Sequence, residues 1–210
     1  MSSASHSIRA ELAGIGIFIA AIWAVFLLSV ALPSLDLNSY GLRPRTLSGL
    51  VGIAAAPFLH ENFRHILGNT VPLFVLLVLL AGSRARSRAV VIDIILLGGA
   101  LLWLFGRSAY HIGASGLIFG LITFLIVSGF LERRIVPLLI SLVVGFWYSG
   151  TLLFGVLPRL HSDVSWDGHV CSAVAGVIVA YALAREPDKP TIESRLSLGQ
   201  NPPSEASDVQ

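Results

Sequence analysis

The chain has 210 residues, of which 55% are hydrophobic and only 12% charged, about half the charged share of an ordinary soluble domain. That balance makes the bilayer the solvent and excludes the charged surface of a typical water-soluble fold. The net charge of +2 comes almost wholly from thirteen arginines, which fall mostly between apolar runs and so bear on membrane orientation and not on nucleic acid.

Residues 1–9 form a short polar start, expected to be cytoplasmic. A spanning helix takes roughly 20 apolar residues, and Leu12–Leu32 is the first such run. One arginine precedes it and no convincing small-x-small cleavage site follows, so it is read as a retained span and not a signal peptide. Residues 33–64 make a long first loop. Its apolar stretch Leu47–Leu59 is too short and too broken by Gly and Pro to span, which predicts a half-submerged, membrane-associated loop. Further spans are predicted at Ile66–Gly82, Ala89–Gly106, Ala114–Leu131, Ile135–Leu157 and His169–Ala184. The fifth has an alternative end, with Leu152–Leu157 in the following loop. The sixth is short unless Gly168 and His169 extend it. From Arg185 onward the chain turns polar, and the 185–210 tail is expected to be disordered.

Length, not periodicity, assigns these runs to helices, because open strands cannot satisfy their backbone groups in lipid. The expected fold is therefore an all-α membrane protein: a six-transmembrane-helix bundle over residues 10–184. One set of helix ends carries Arg9, Arg84, Arg86, Arg88, Arg133, Arg134, Arg185 and Lys189; the other carries Arg43, Arg45, Arg64, Arg107 and Arg159. The bias puts both termini in the cytoplasm. Spans two, four and six then all begin at the outer face. Their first turns hold the conspicuous polar residues: His65 and Asn69, Ser115, and His169.

A serine in an apolar helix is often only a packing or backbone-bonded group. Ser115, however, opens its helix beside small residues, where unpaired N–H groups and the positive end of the dipole face outward. His169 supplies a base that titrates near neutral pH and can later protonate a leaving amine. Asn69 lies one turn after His65 on the same face, so both can donate to one developing charge; the alternative is that they merely pin helices together. Gly116 and Gly120 repeat at i, i+4, as do Ser172 and Gly176, a spacing that lets membrane helices approach closely. Gly113, just ahead, is counted with these small contact residues. Such a crossing would bring Ser115 to His169.

Together "HENFRHILGNT" (60–70), "GASGLIFG" (113–120) and "DGHVCSAVAG" (167–176) resemble the rhomboid intramembrane serine proteases, in order and on the matching helices. The resemblance covers roughly residues 10–184. It implies that Ser115 is a nucleophile paired with His169, that His65, Asn69 and the Ser115 amide bind the oxyanion, and that the first loop is the family's membrane-embedded lateral loop. Two positions depart from the pattern: Ser172 stands where glycine is usual, and Phe119 where some members carry tyrosine. Neither removes a group the chemistry requires.

Other polar residues have plainer readings. Asp167 is two residues from His169, about 200° round a helix, so it should point away from the imidazole. Asp93 is an intramembrane acid within reach of Arg86 and Arg88, and local pairing is expected. His60 and His111 flank the site. The four tryptophans read as interfacial anchors or core. No metal-ligand spacing and no cofactor motif is present, and Cys171 has no partner for a disulfide. The expected function is an endopeptidase acting on transmembrane protein substrates in or near the bilayer, with no nucleic acid partner. The competing readings are a catalytically silent membrane scaffold that binds transmembrane clients, and a transporter or proton channel. The latter would spread polar residues through the membrane depth.

Overall fold

Among the described residues of the computed structural model, six helices are long and apolar enough to cross a membrane. The structure describes residues 8–83, 87–132, 134–158 and 165–185; the expectations for residues 1–7 and 186–210, and for Arg84, Arg86, Arg133 and Arg159, lie outside them. The helices are α1 (Ile8–Ala31), α3 (Phe63–Ser83), α4 (Ser87–Phe105), α5 (Ser115–Glu132), α6 (Ile135–Val156) and α7 (Trp166–Ala184), with a one-turn helix α2 at Gly52–Ala55. At 1.5 Å per residue even the 18-residue α5 is about 27 Å long, close to the hydrocarbon thickness.

Some helices start earlier than the sequence expectation for physical reasons, and the end of α6 agrees with the expected fifth span and not with its alternative. Helix α1 starts at Ile8, since Arg9, Ala10 and Glu11 all favour helix although they are not all apolar. Helix α6 runs to Val156, so the Leu152–Val156 stretch belongs to the span and not to a loop. Helix α7 begins at Trp166, a turn earlier than hydropathy suggests. Its first turn contains Asp167, which lowers the apolar score but is satisfied by Arg107.

Helix α5 is the centre. It is apolar on every side, as a helix enclosed by others must be, and Leu121, Ile122 and Phe124 have no exposed surface. It packs chiefly on α7 and α6, and α4 packs on α7. Small residues set the spacing of these helices. A Cβ on Gly176 would overlap the Gly120 carbonyl, and one on Gly116 would stand 2.9 Å from Ser172 Oγ. Ser172, the departure from the resembling pattern, is accommodated because Gly98 on α4 also faces it without a side chain. Helix α1 sits outside, held to α3 by Trp23 Nε1 donating to Thr70 Oγ1 at 3.2 Å.

Residues 32–62 join α1 to α3 through short turns, and their apolar part Ser48–Phe58 is helical but too short to span. Arg45 ties this segment to the end of α4. Its Nη1 donates to the Gly106 and Leu104 carbonyls at 2.7 and 3.2 Å, filling acceptors that a helix C-terminus leaves open. Trp103 Nε1 donates back to the Thr46 carbonyl at 2.9 Å. Leu42 and His111 exchange backbone hydrogen bonds in a single bridge, fixing the loop that leads into α5.

Candidate active site

Ser115 is the first residue of α5 and His169 lies in the first turn of α7. The close α5–α7 packing puts Ser115 Oγ 2.9 Å from His169 Nε2. The opposite ring nitrogen, Nδ1, is 2.9 Å from the Gly155 carbonyl. A carbonyl can only accept, so in the neutral imidazole Nδ1 carries the proton and Nε2 accepts from the serine hydroxyl. Phe119, one turn after Ser115, lies flat on the imidazole, with centroids 4.1 Å apart and 4° between planes. The stacking survives the absence of a tyrosine hydroxyl.

Asn62 begins the third element of the site. Its Oδ1 accepts the His65 N–H at 2.9 Å, capping the start of α3 and fixing the first turn that carries His65. One turn on, Asn69 donates through Nδ2 to His60 Nε2 at 3.0 Å. An amide nitrogen has two hydrogens, so one remains for another acceptor. The His60 and His65 rings meet edge to face at 5.0 Å. Burial, and then the neighbouring His65, lower the His60 pKa to about 4, so this imidazole stays neutral and can accept.

Gly113 belongs to neither helix of the expected contact pair. It lies in the loop before α5 with φ of +107°, a conformation side chains rarely adopt. A Cβ there would come within 2.6 Å of His65 Nε2 and 3.4 Å of Asn69 Nδ2. Its bare Cα therefore lets the two side-chain donors close in on the approach to Ser115. Its N–H donates to the Ala56 carbonyl at 2.8 Å, so the first loop holds this turn in place. His65, Asn69, Ser115 and His169 all line one cleft of about 890 Å³.

Asp167 takes no part in holding His169. Its carboxylate accepts the Arg107 N–H at 2.8 Å and Arg107 Nη2 at 3.1 Å. His111 accepts from Ser165 Oγ through Nδ1 at 2.7 Å and faces the Arg107 carbonyl through Nε2 at 3.2 Å. Asp167, His111 and Ser165 thus lock the loop before α5 to the start of α7. Asp93 does not pair with Arg88: five helical residues turn through about 140°, which puts the two on different faces. Arg88 instead faces Glu11 at 4.0 Å. Among the described residues no group of three or more His, Cys, Asp and Glu is placed to hold a metal ion.

The residue missed by sequence reasoning is Gly155, which contributes its backbone carbonyl and leaves no side-chain signal; His60, expected only to flank the site, is tied to it through Asn69, nine residues away. The site lies at the first turns of α3, α5 and α7, and a small void of about 50 Å³ lies beside Ser115 and Gly116.

Comparison with known proteins gives consistent relatives. The Rhomboid domain model matches residues 48–186. An uncharacterized protein of Mycobacterium tuberculosis is 46% identical over 160 residues, 71% of this chain and 65% of its own length. One of Mycobacterium leprae is 43% identical over 159 residues, covering 71% and 62%. A protein of Acanthamoeba polyphaga mimivirus named as a rhomboid protein is 28% identical over 141 residues, covering 63% and 75%. The match spans just under two thirds of the mycobacterial relatives' length.

Proposed function

The chain belongs to the rhomboid family, and from that premise we propose that it is an intramembrane serine endopeptidase using a Ser115–His169 dyad. The observation that carries the reading is the 2.9 Å approach of Ser115 Oγ to an imidazole nitrogen whose partner nitrogen faces a carbonyl. In this mechanism His169 Nε2 removes the hydroxyl proton as Ser115 Oγ attacks the scissile carbonyl carbon. The tetrahedral oxyanion is held by the Ser115 N–H at the start of α5, His65 and the free hydrogen of the Asn69 amide. The imidazolium then returns its proton to the leaving amine, and water enters by the same base to release the acyl group. The Gly155 carbonyl stabilises the imidazolium and fixes its orientation, the part a carboxylate plays in a triad.

The void beside Ser115 suits a small side chain next to the scissile bond. At about 50 Å³ it has room for a methyl group or a few waters but not an aromatic ring. Substrates are transmembrane proteins entering from the bilayer, with the first loop embedded at its edge, both termini cytoplasmic and the cleft toward the outer face. The membrane domain spans residues 10–184. The test is incubation of the purified chain with a model transmembrane substrate carrying Ala or Phe before the scissile bond. Cleavage of the Ala substrate, lost in Ser115→Ala, is the expected result; an intact substrate under conditions where the protein stays folded would point to a silent rhomboid-like scaffold.

A further inference from the structure

A second void, of about 420 Å³, lies away from the cleft, between α1, α4 and the end of α3. Ile15, Phe18, Leu77, Val91, Ile95 and Leu96 give it an almost wholly apolar lining. Helices α1 and α4 hardly touch directly, so the groove separates them. Its polar end is at the start of α4. There Ser87 donates to the Glu11 carboxylate, and Arg88 Nη2 donates to the Ala10 carbonyl at 3.0 Å. The Glu11 side chain is only 15% exposed and already engaged, whereas that of Arg88 is 65% exposed. A cation with an open face therefore stands over a hydrocarbon slot.

We propose that this groove is a phospholipid site, with one acyl chain lying between α1 and α4 and the phosphate on Arg88. From Ser87 to Leu96 the slot has about 13 Å of apolar depth beneath the guanidinium, matching a charged interfacial group with hydrocarbon below it. Both helices span the membrane, so acyl chains are what the opening meets. Basic pockets between transmembrane helices are established headgroup sites. The far end of the groove is lined by Ala54 and Phe58. These flank Ala56, whose carbonyl receives the Gly113 N–H. A bound lipid thus braces the segment that supports the turn before Ser115.

The test uses the full chain in neutral detergent, titrated with dioleoylphosphatidylglycerol or dioleoylglycerol and read by native mass spectrometry and thermal midpoint. The phospholipid binds at one equivalent and raises the midpoint; the phosphate-free diacylglycerol binds at least about tenfold more weakly, the loss of one charge-assisted hydrogen bond. Arg88→Gln removes that discrimination. Ala54→Trp, or Leu96→Trp should the first fail to fold, fills the slot from an exposed position and abolishes the bound equivalent while Arg88 remains. Equal affinity for the two lipids in the unsubstituted chain, undiminished binding in a folded slot-filling variant, or a copurifying protein on this face in place of lipid would each overturn the proposal.

Discussion

His60 stands behind the proposed oxyanion site through its acceptance of the Asn69 amide, and it can accept only when neutral. Its folded pKa of about 4 lies below the ordinary 6.5. The unfolded chain therefore takes up this proton first as pH falls. The stability tied to His60 is complete above about pH 6.5 and is lost progressively down to about pH 4, below which it is flat. The thermal midpoint should fall across that window, and His60→Ala should fall less; equal slopes would remove His60 from the account. Asn69→Ala acts on the rate. One of three donors is lost, so kcat should drop by about 10²-fold or somewhat less with KM little changed. A variant that loses thermal stability while its folded fraction turns over normally would make Asn69 structural. The arrangement of these residues was only partly legible in the sequence. Ser115, His169, His65 and Asn69 were anticipated at one depth, and they line one cleft. The Gly155 carbonyl was not, because backbone acceptors are chosen by fold and not by residue type.

At the scale of elements, the end of α6 meets the site. A Cβ on Gly155 would overlap the Phe119 ring, which lies on His169. Gly155→Ala should shift that ring and lower kcat/KM at least about tenfold, a misplacement effect that leaves the global fold intact. Unchanged kinetics with unchanged helical content would show that the stacking is dispensable. The α5–α7 crossing is less forgiving. Gly176→Leu puts a side chain into the Gly120 carbonyl and should cost about 1–3 kcal/mol or more, read as a lowered thermal midpoint in detergent. Hydropathy alone found all six spans, since each is a long apolar run. It misjudged the start of α7, where Asp167 reads as loop until Arg107 from another segment is seen to satisfy it. Sequence proximity also suggested Arg86 and Arg88 as partners of Asp93; helical rotation turns Arg88 to Glu11 instead, and Arg86 lies outside the described residues.

The molecule as a whole is a multi-pass membrane protein of the rhomboid family, and the sidedness proposed for it, both termini cytoplasmic, rests on the arginine bias of the sequence. Single cysteines at Ser5 and Ser207 in a Cys171→Ala background should be labelled only from the cytoplasmic face of sealed vesicles; labelling only from the outer face would reverse the side on which the cleft opens. In the proposed reading that topology gives the site its meaning: three spans bring Ser115, His169, His65 and Asn69 to the same cleft, where they would serve as nucleophile, base and charge donors. The central claim is that His169 activates Ser115. A serine-directed fluorophosphonate tests it without any substrate, because the phosphorus is attacked by the same oxygen and the adduct is read by intact mass and peptide mapping. The account predicts one adduct, on Ser115, formed by the unsubstituted chain, absent in Ser115→Ala and slowed on the order of 10³-fold or more in a folded His169→Ala. Labelling of His169→Ala at the unsubstituted rate, or an undiminished adduct in Ser115→Ala, would contradict it.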